Sequence, residues 1–249
     1  MIELKTAKEL ERMKKACRIS AEALKVAQSA LEVGVSTAYV DDQVRKFILS
    51  QGARPTFLHY GGFPKSACIS VNEELIHGIP SKNRIIKDGD IVSVDVGAFI
   101  DGYTGDNAAT FPIGNVSEEA KRLLEVTKTS LDRAVAQALA GNRLGDIGYA
   151  VQSYAEENGF SVVREYVGHG VGRELHEDPE VPNFGRAGHG VRLVPGMTIA
   201  IEPMICAGGR EIEVLENDWT VVTKDRQLSA HFEYTVAITE NGPVILTKA

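Results

Sequence analysis

The chain of 249 residues is 43% hydrophobic and 24% charged, with 27 Lys and Arg against 34 Asp and Glu for a formal net charge of −7. Such a chain can bury a full core as one large domain or two fused halves, and its scattered basic residues argue against nucleic acid as a primary ligand. The opening "MIELKTAKELERMKKACRIS" has no apolar signal core, no apolar run approaches the roughly 18 residues of a membrane span, and Cys17, Cys68 and Cys206 contain no C-x-x-C pair. A disulfide framework and a structural zinc cluster are therefore disfavoured, and a soluble protein of the reducing cytoplasm, without a membrane partner, is expected.

Thr6-x-x-Glu9 reads as a capping box that opens an amphipathic helix to Leu31, with Leu10, Met13, Cys17, Ala21 and Leu24 at helical intervals. A second helix is predicted over Thr37 to Leu49, stopped near Gly52. The run "DGDIVSVDVGAFIDGYTGDNAAT" predicts two apolar strands around an Asp101-Gly102 turn. A third helix is predicted from Ser117 to about Ala140, and a fourth from about Gly145 to Glu157 before Gly159. Strands then carry "PGMTIAIEPM" and "SAHFEYTVAI".

Adding 107 carries Gly34 to Gly141, Gly52 to Gly159, Gly89 to Gly196 and Asp95 to Glu202. Two helix stops, a turn glycine and a strand carboxylate agree at one offset. This predicts a single domain with internally duplicated halves of about 1–111 and 112–249, and makes the cleft between them the default site.

A two-residue turn at Asp101-Gly102 sets Asp95 opposite Ala108 and Asp106 opposite Gly97, so both carboxylates lie on one face, one diagonal step apart. Diagonal neighbours have centres roughly 7–8 Å apart, which suits reaching one ion or ion pair from two sides. Burying ionised carboxylates beside Ile91, Val92, Val94 and Val96 costs roughly several kcal/mol each unless a cation or donor compensates. Glu202 and Glu233 repeat this oddity in apolar strands, and His169 lies between glycines that let backbone or ligand approach its ring closely. Four carboxylates and one imidazole form a hard donor set suited to two divalent ions, Mn(II), Fe(II), Co(II) or Zn(II).

The stretches "GFPKSACISVNEELIHGIP", "KDGDIVSVDVGAFIDGYTGDNAATF", "YVGHGVGRELHEDPEVPNF", "LVPGMTIAIEPM" and "WTVVTKDRQLSAHFEYTVAIT" resemble the type I methionine aminopeptidases of the pita-bread metallohydrolase superfamily. The resemblance implies an α+β fold: two pseudo-symmetric halves whose central curved antiparallel sheet is covered by helices. It implies removal of N-terminal methionine from peptides and nascent chains with a small second residue, with Asp95, Asp106, His169, Glu202 and Glu233 as ligands of two ions. His77 and His176 match the histidines that contact substrate and tetrahedral intermediate. Tyr60, Phe63, Cys68 and Trp219 fall on methionine-pocket positions, while Leu175 stands where an aromatic residue is often seen. In some members a monovalent cation sits at positions matching Asn72, Glu74 and Ser229, a site left open here. A monomer is expected, and a transient ribosome contact is left open.

In this chemistry two ions lower the pKa of a water and polarise the scissile carbonyl. Glu202 is the expected general base, His176 stabilises the oxyanion or orients the amide, and His77 contacts the peptide. A neutral N-terminal amine that ligates metal explains an exopeptidase. An X-Pro peptidase of the same superfamily uses the same five ligands but usually carries an extra N-terminal domain of about a hundred residues. A catalytically dead binding module requires a lost ligand position, and all five are ligand-competent. "GHGVG" as a phosphate loop lacks its lysine.

Overall fold

The computed structural model describes residues 1–248. Helix α1 (Ala7–Ala30) begins at the predicted box: Glu9 N–H donates to Thr6 Oγ1 at 3.4 Å and Thr6 N–H to Glu9 Oε2 at 2.9 Å. Its buried stripe is mainly small (Ala16, Ala21, Ala23, Ala27), whereas Leu10 and Leu24 are only half-buried. Small residues let the helix lie close to the sheet below. Helix α2 (Thr37–Ser50) follows, capped by Ser36, whose hydroxyl accepts from Tyr39 N.

Helix α1 covers an antiparallel hairpin of strands Ile91–Ile100 and Tyr103–Pro112, and α2 packs against α1 and the neighbouring strands Arg54–Pro55 and Ala67–Val71. Its turn has φ of 55° at Asp101 and 85° at Gly102, the left-handed pair that matches strand twist. The register pairs Asp95 with Ala108 and Gly97 with Asp106, as the turn predicts. Val92, Val94, Val96 and Ala98 pack beneath α1 and α2 with Val40, Val44 and Ile48.

Helices α3 (Glu118–Gln137) and α4 (Leu144–Glu157) share a core with Ile199, Ile201 and Val236 of the strands Thr198–Ile201 and Tyr234–Thr239. Helix α3 stops three residues short of the expected Ala140. There Gly141, at φ 97°, turns its N–H to Leu193 O at 2.9 Å, so the chain leaves the helix to meet the sheet.

The 107-residue step recurs in the backbone. It carries α2 onto α4, the bridge Ser36–Ile85 onto Arg143–Arg192, and the pair Pro55–Ala98 onto Val162–Ile205. All three predicted glycine pairs have positive φ, 70° to 97°.

The hairpin and the segment 231–235 are stitched together by hydroxyls and main chain. Glu233 N–H donates to Ala108 O (2.9 Å), Thr235 Oγ1 donates to Asp106 O (2.7 Å), and Thr110 Oγ1 donates to His231 O (2.9 Å). Met13, Cys17, Tyr103, Val171, Ala200 and Ala237 pack as one buried cluster. The three cysteines are free and buried, and among the described residues no helix is long and apolar enough to cross a membrane.

Gly105, beside Asp106, lies directly under α1: a Cβ there would stand 2.4 Å from Cys17 N and Cα. Backbone cannot yield as a flexible side chain does. Gly105→Ala is expected to destabilise the fold by about 1–3 kcal/mol through overpacking, read as a lower urea midpoint at unchanged m-value. An unaltered midpoint would show that α1 moves away freely.

Candidate metal centre and active site

Asp95, Asp106, His169, Glu202 and Glu233 line one pocket of about 300 Å³. Asp95 and Asp106 enter from the hairpin and His169 from the strand Gly168–Gly170. Glu202 stands at a strand end, directly after Ile201, while Glu233, expected inside a strand, stands at a break just before Tyr234. Pro203, which has no N–H for a ladder, accounts for the strand end at Ile201. Of the two approaches expected at the glycines beside His169, backbone or ligand, it is backbone that comes close. A Cβ on Gly168 would meet Ala200 O at 2.3 Å, and one on Gly170 would meet Asp178 O at 2.2 Å. They admit neighbouring backbone to the strand, and neither has a left-handed φ.

His169 Nδ1 pairs with Gly170 O at 2.8 Å, which turns Nε2 toward Glu202 Oε1 (3.4 Å) and Asp106 Oδ2 (3.8 Å). One ligand atom from each of Asp106, His169 and Glu233 lies within 4.8 Å of the others. Asp95 and Glu202 complete the wall.

Burial pushes Asp95 up to about 7, against relief from His231, and Glu202 up to about 7. Asp106 and Glu233 are driven well above the carboxylate range by burial and then by the other acids. Asp95 Oδ1, Asp106 Oδ1 and Glu233 Oε1 are buried without a hydrogen-bond partner. Oxygens that are unpartnered, desolvated and mutually repelling fit divalent cations, which would satisfy the lone pairs and neutralise the charge together.

His176 and His77 line the same pocket. The His176 ring lies 4.3 Å from that of His169, and its Nδ1 meets Tyr60 Oη at 2.7 Å. His77, at φ 57°, sets its ring edge-on to Tyr166 (5.7 Å) and Trp219 (6.4 Å). Burial lowers His77 to about 4 and also lowers His176, so both are neutral imidazoles at pH 7. Phe63 and Trp219, 5.2 Å apart and edge-on, form the apolar end with Phe57, Cys68 and Leu175. Leu175 thus fills its place by packing.

Phe57, Tyr166 and His231 were not singled out in the sequence. His231 was readable, since it precedes Glu233 by two residues and strand side chains alternate; nothing around Phe57 marks it. At the cation positions, Ser229 N–H and Oγ both donate to Asn72 O (3.0 and 3.1 Å), and Glu74 Oε2 accepts from Val71 N (2.8 Å). Those groups bond within the chain.

The family described as Metallopeptidase family M24 matches residues 11–240. A methionine aminopeptidase of Clostridium acetobutylicum is 53% identical, over 99% of both chains. The crystal structure of methionine aminopeptidase from Thermotoga maritima superposes with a TM-score of 0.98 at 47% identity, over 100% of both chains. The prolidase from Pyrococcus furiosus shares the architecture (TM-score 0.80, 28% identity), covering 99% of this chain and 65% of its own. The fold is accordingly the α+β pita-bread fold, and the chain belongs to metallopeptidase family M24, among its type I methionine aminopeptidases.

Proposed function

We propose that the protein removes N-terminal methionine from peptides and nascent chains with a small second residue, in the cytoplasm. Asp95, Asp106, His169, Glu202 and Glu233 would hold two divalent ions, drawn from Mn(II), Fe(II), Co(II) or Zn(II). We read the chain as one domain of two duplicated halves with this centre between them. The observation that carries the proposal is the set of buried, unpartnered oxygens on Asp95, Asp106 and Glu233 beside His169 in one pocket.

Ions bound there supply Lewis acidity that activates water and polarises the scissile carbonyl. Glu202 takes the proton of the attacking water on its carboxylate and returns it to the leaving amine nitrogen. His176, held by Tyr60, presents a neutral N–H to the developing oxyanion. His77, wedged between Tyr166 and Trp219, meets the peptide beyond the reacting bond. Phe63, Cys68, Leu175 and Trp219 exclude water around an unbranched thioether side chain, which adapts to irregular apolar walls.

After chelation and re-addition of Mn(II), Co(II) or Fe(II), Met-Ala-Ser is expected to be cleaved and Ala-Pro-Ser left intact. Preference for the proline peptide would reassign the pocket to an X-Pro peptidase. No turnover with any ion would make the chain a binding module.

A further inference from the structure

His231 has no part in the chemistry proposed above, yet it sits within it. The residue is 2% exposed, and its Nε2 is buried without a hydrogen-bond partner. Two carboxylates face the ring: Asp95, whose charge acts on it, and Glu202, whose Oε2 lies 3.6 Å from Nε2 while its Oε1 faces His169 Nε2 at 3.4 Å. Two imidazoles thus flank one carboxylate, one at each oxygen. A histidine kept for packing alone would have its ring nitrogen bonded.

The backbone of His231 is fixed independently of its ring. Its N–H donates to Thr110 Oγ1 at 2.9 Å, and that hydroxyl donates to His231 O at 2.9 Å, with Ser93 Oγ 2.8 Å from Thr110 Oγ1. Because Thr110 spends its proton on His231 O, Ser93 is the donor in the last contact. This clamp ties the ring to the hairpin that carries Asp95 and Asp106. Closing the 3.6 Å gap to a hydrogen bond needs roughly half an ångström of side-chain rotation.

We propose that His231 is a positioning residue for Glu202: its Nε2–H donates to Glu202 Oε2 and turns the carboxylate so that Oε1 meets the reacting water. This rests on the reading of Glu202 as proton acceptor. Groups that orient a ligating or proton-transferring carboxylate act through its direction, and so affect turnover more than substrate binding.

The test uses full-length, metal-loaded protein. His231→Ala is expected to lower kcat on Met-Ala-Ser about 10–100-fold, with KM within about three-fold and bound metal per chain unchanged. His231→Gln, which keeps an N–H of similar reach, is expected to restore kcat to within about five-fold of the parent. In zinc-loaded protein labelled with 15N-histidine, His231 is expected as the Nε2–H tautomer, with a proton resonance that shifts on Glu202→Gln. Parental kcat in His231→Ala, equal defects in the Ala and Gln variants, loss of a metal ion, or an Nδ1–H tautomer would each overturn the proposal. The tautomer measurement needs no substitution at 231, so it decides even if His231→Ala does not fold. Failure of the unsubstituted protein to turn over any peptide would instead sink the proton-acceptor reading.

Discussion

Glu202→Gln is expected to lower kcat on Met-Ala-Ser by about 10²–10⁴-fold, the usual range for a general base. The amide matches the acid in shape and keeps one oxygen for an ion, so bound metal should persist by elemental analysis and KM should change little. What it loses is the ability to hold a proton taken from water. A variant that binds metal and retains full kcat would remove Glu202 from that role.

Metal-free protein is expected to lose stability as pH rises from about 6.5 to about 8.5, by an amount on the order of a few kcal/mol. Asp95 and Glu202 are raised to about 7, and Asp106 and Glu233 higher still. Asp95 and Glu202 release their protons around pH 7 and Asp106 and Glu233 hold theirs beyond it, protons that the unfolded chain has already released. Stability then falls with pH, because it rises only where the unfolded state binds more protons. The buried histidines His77, His169, His176 and His231 are shifted downward and act in the opposite sense. Their effect is spent below about 6.5, the ordinary imidazole value, which confines the net fall to higher pH. Calorimetry in excess chelator gives the trend, and saturating Mn(II) should abolish or reverse it. A melting temperature that climbs between pH 6.5 and 8.5 without metal would contradict the assigned burial of these acids and the repulsion among them.

Local chemistry in the sequence translated well. Thr6 and Glu9 set the start of α1, Asp101-Gly102 set the hairpin register, and that register sends Asp95 and Asp106 to one pocket. Each depends on neighbours close in the chain, where propensity and turn geometry act directly. Contacts between distant segments were not readable. Nothing near Glu233 announces that its N–H will meet Ala108 O, or that the strand breaks there. The early end of α3 likewise comes from Leu193, far along the chain, accepting from Gly141. His231 lay within reach of the alternation rule, but a histidine between Ala230 and Phe232 carries no mark of its own until Glu202 is seen opposite.

The bond from Glu233 N–H to Ala108 O brings the last of the five proposed ligands to the first two across most of the chain. During synthesis Asp95 and Asp106 leave the ribosome well before Glu202 and Glu233 exist. The growing chain therefore holds at most three of the five proposed ligands until Glu202 is made. The complete set meets only in the finished fold, so the ions bound are expected to be drawn from the pool that this finished fold encounters.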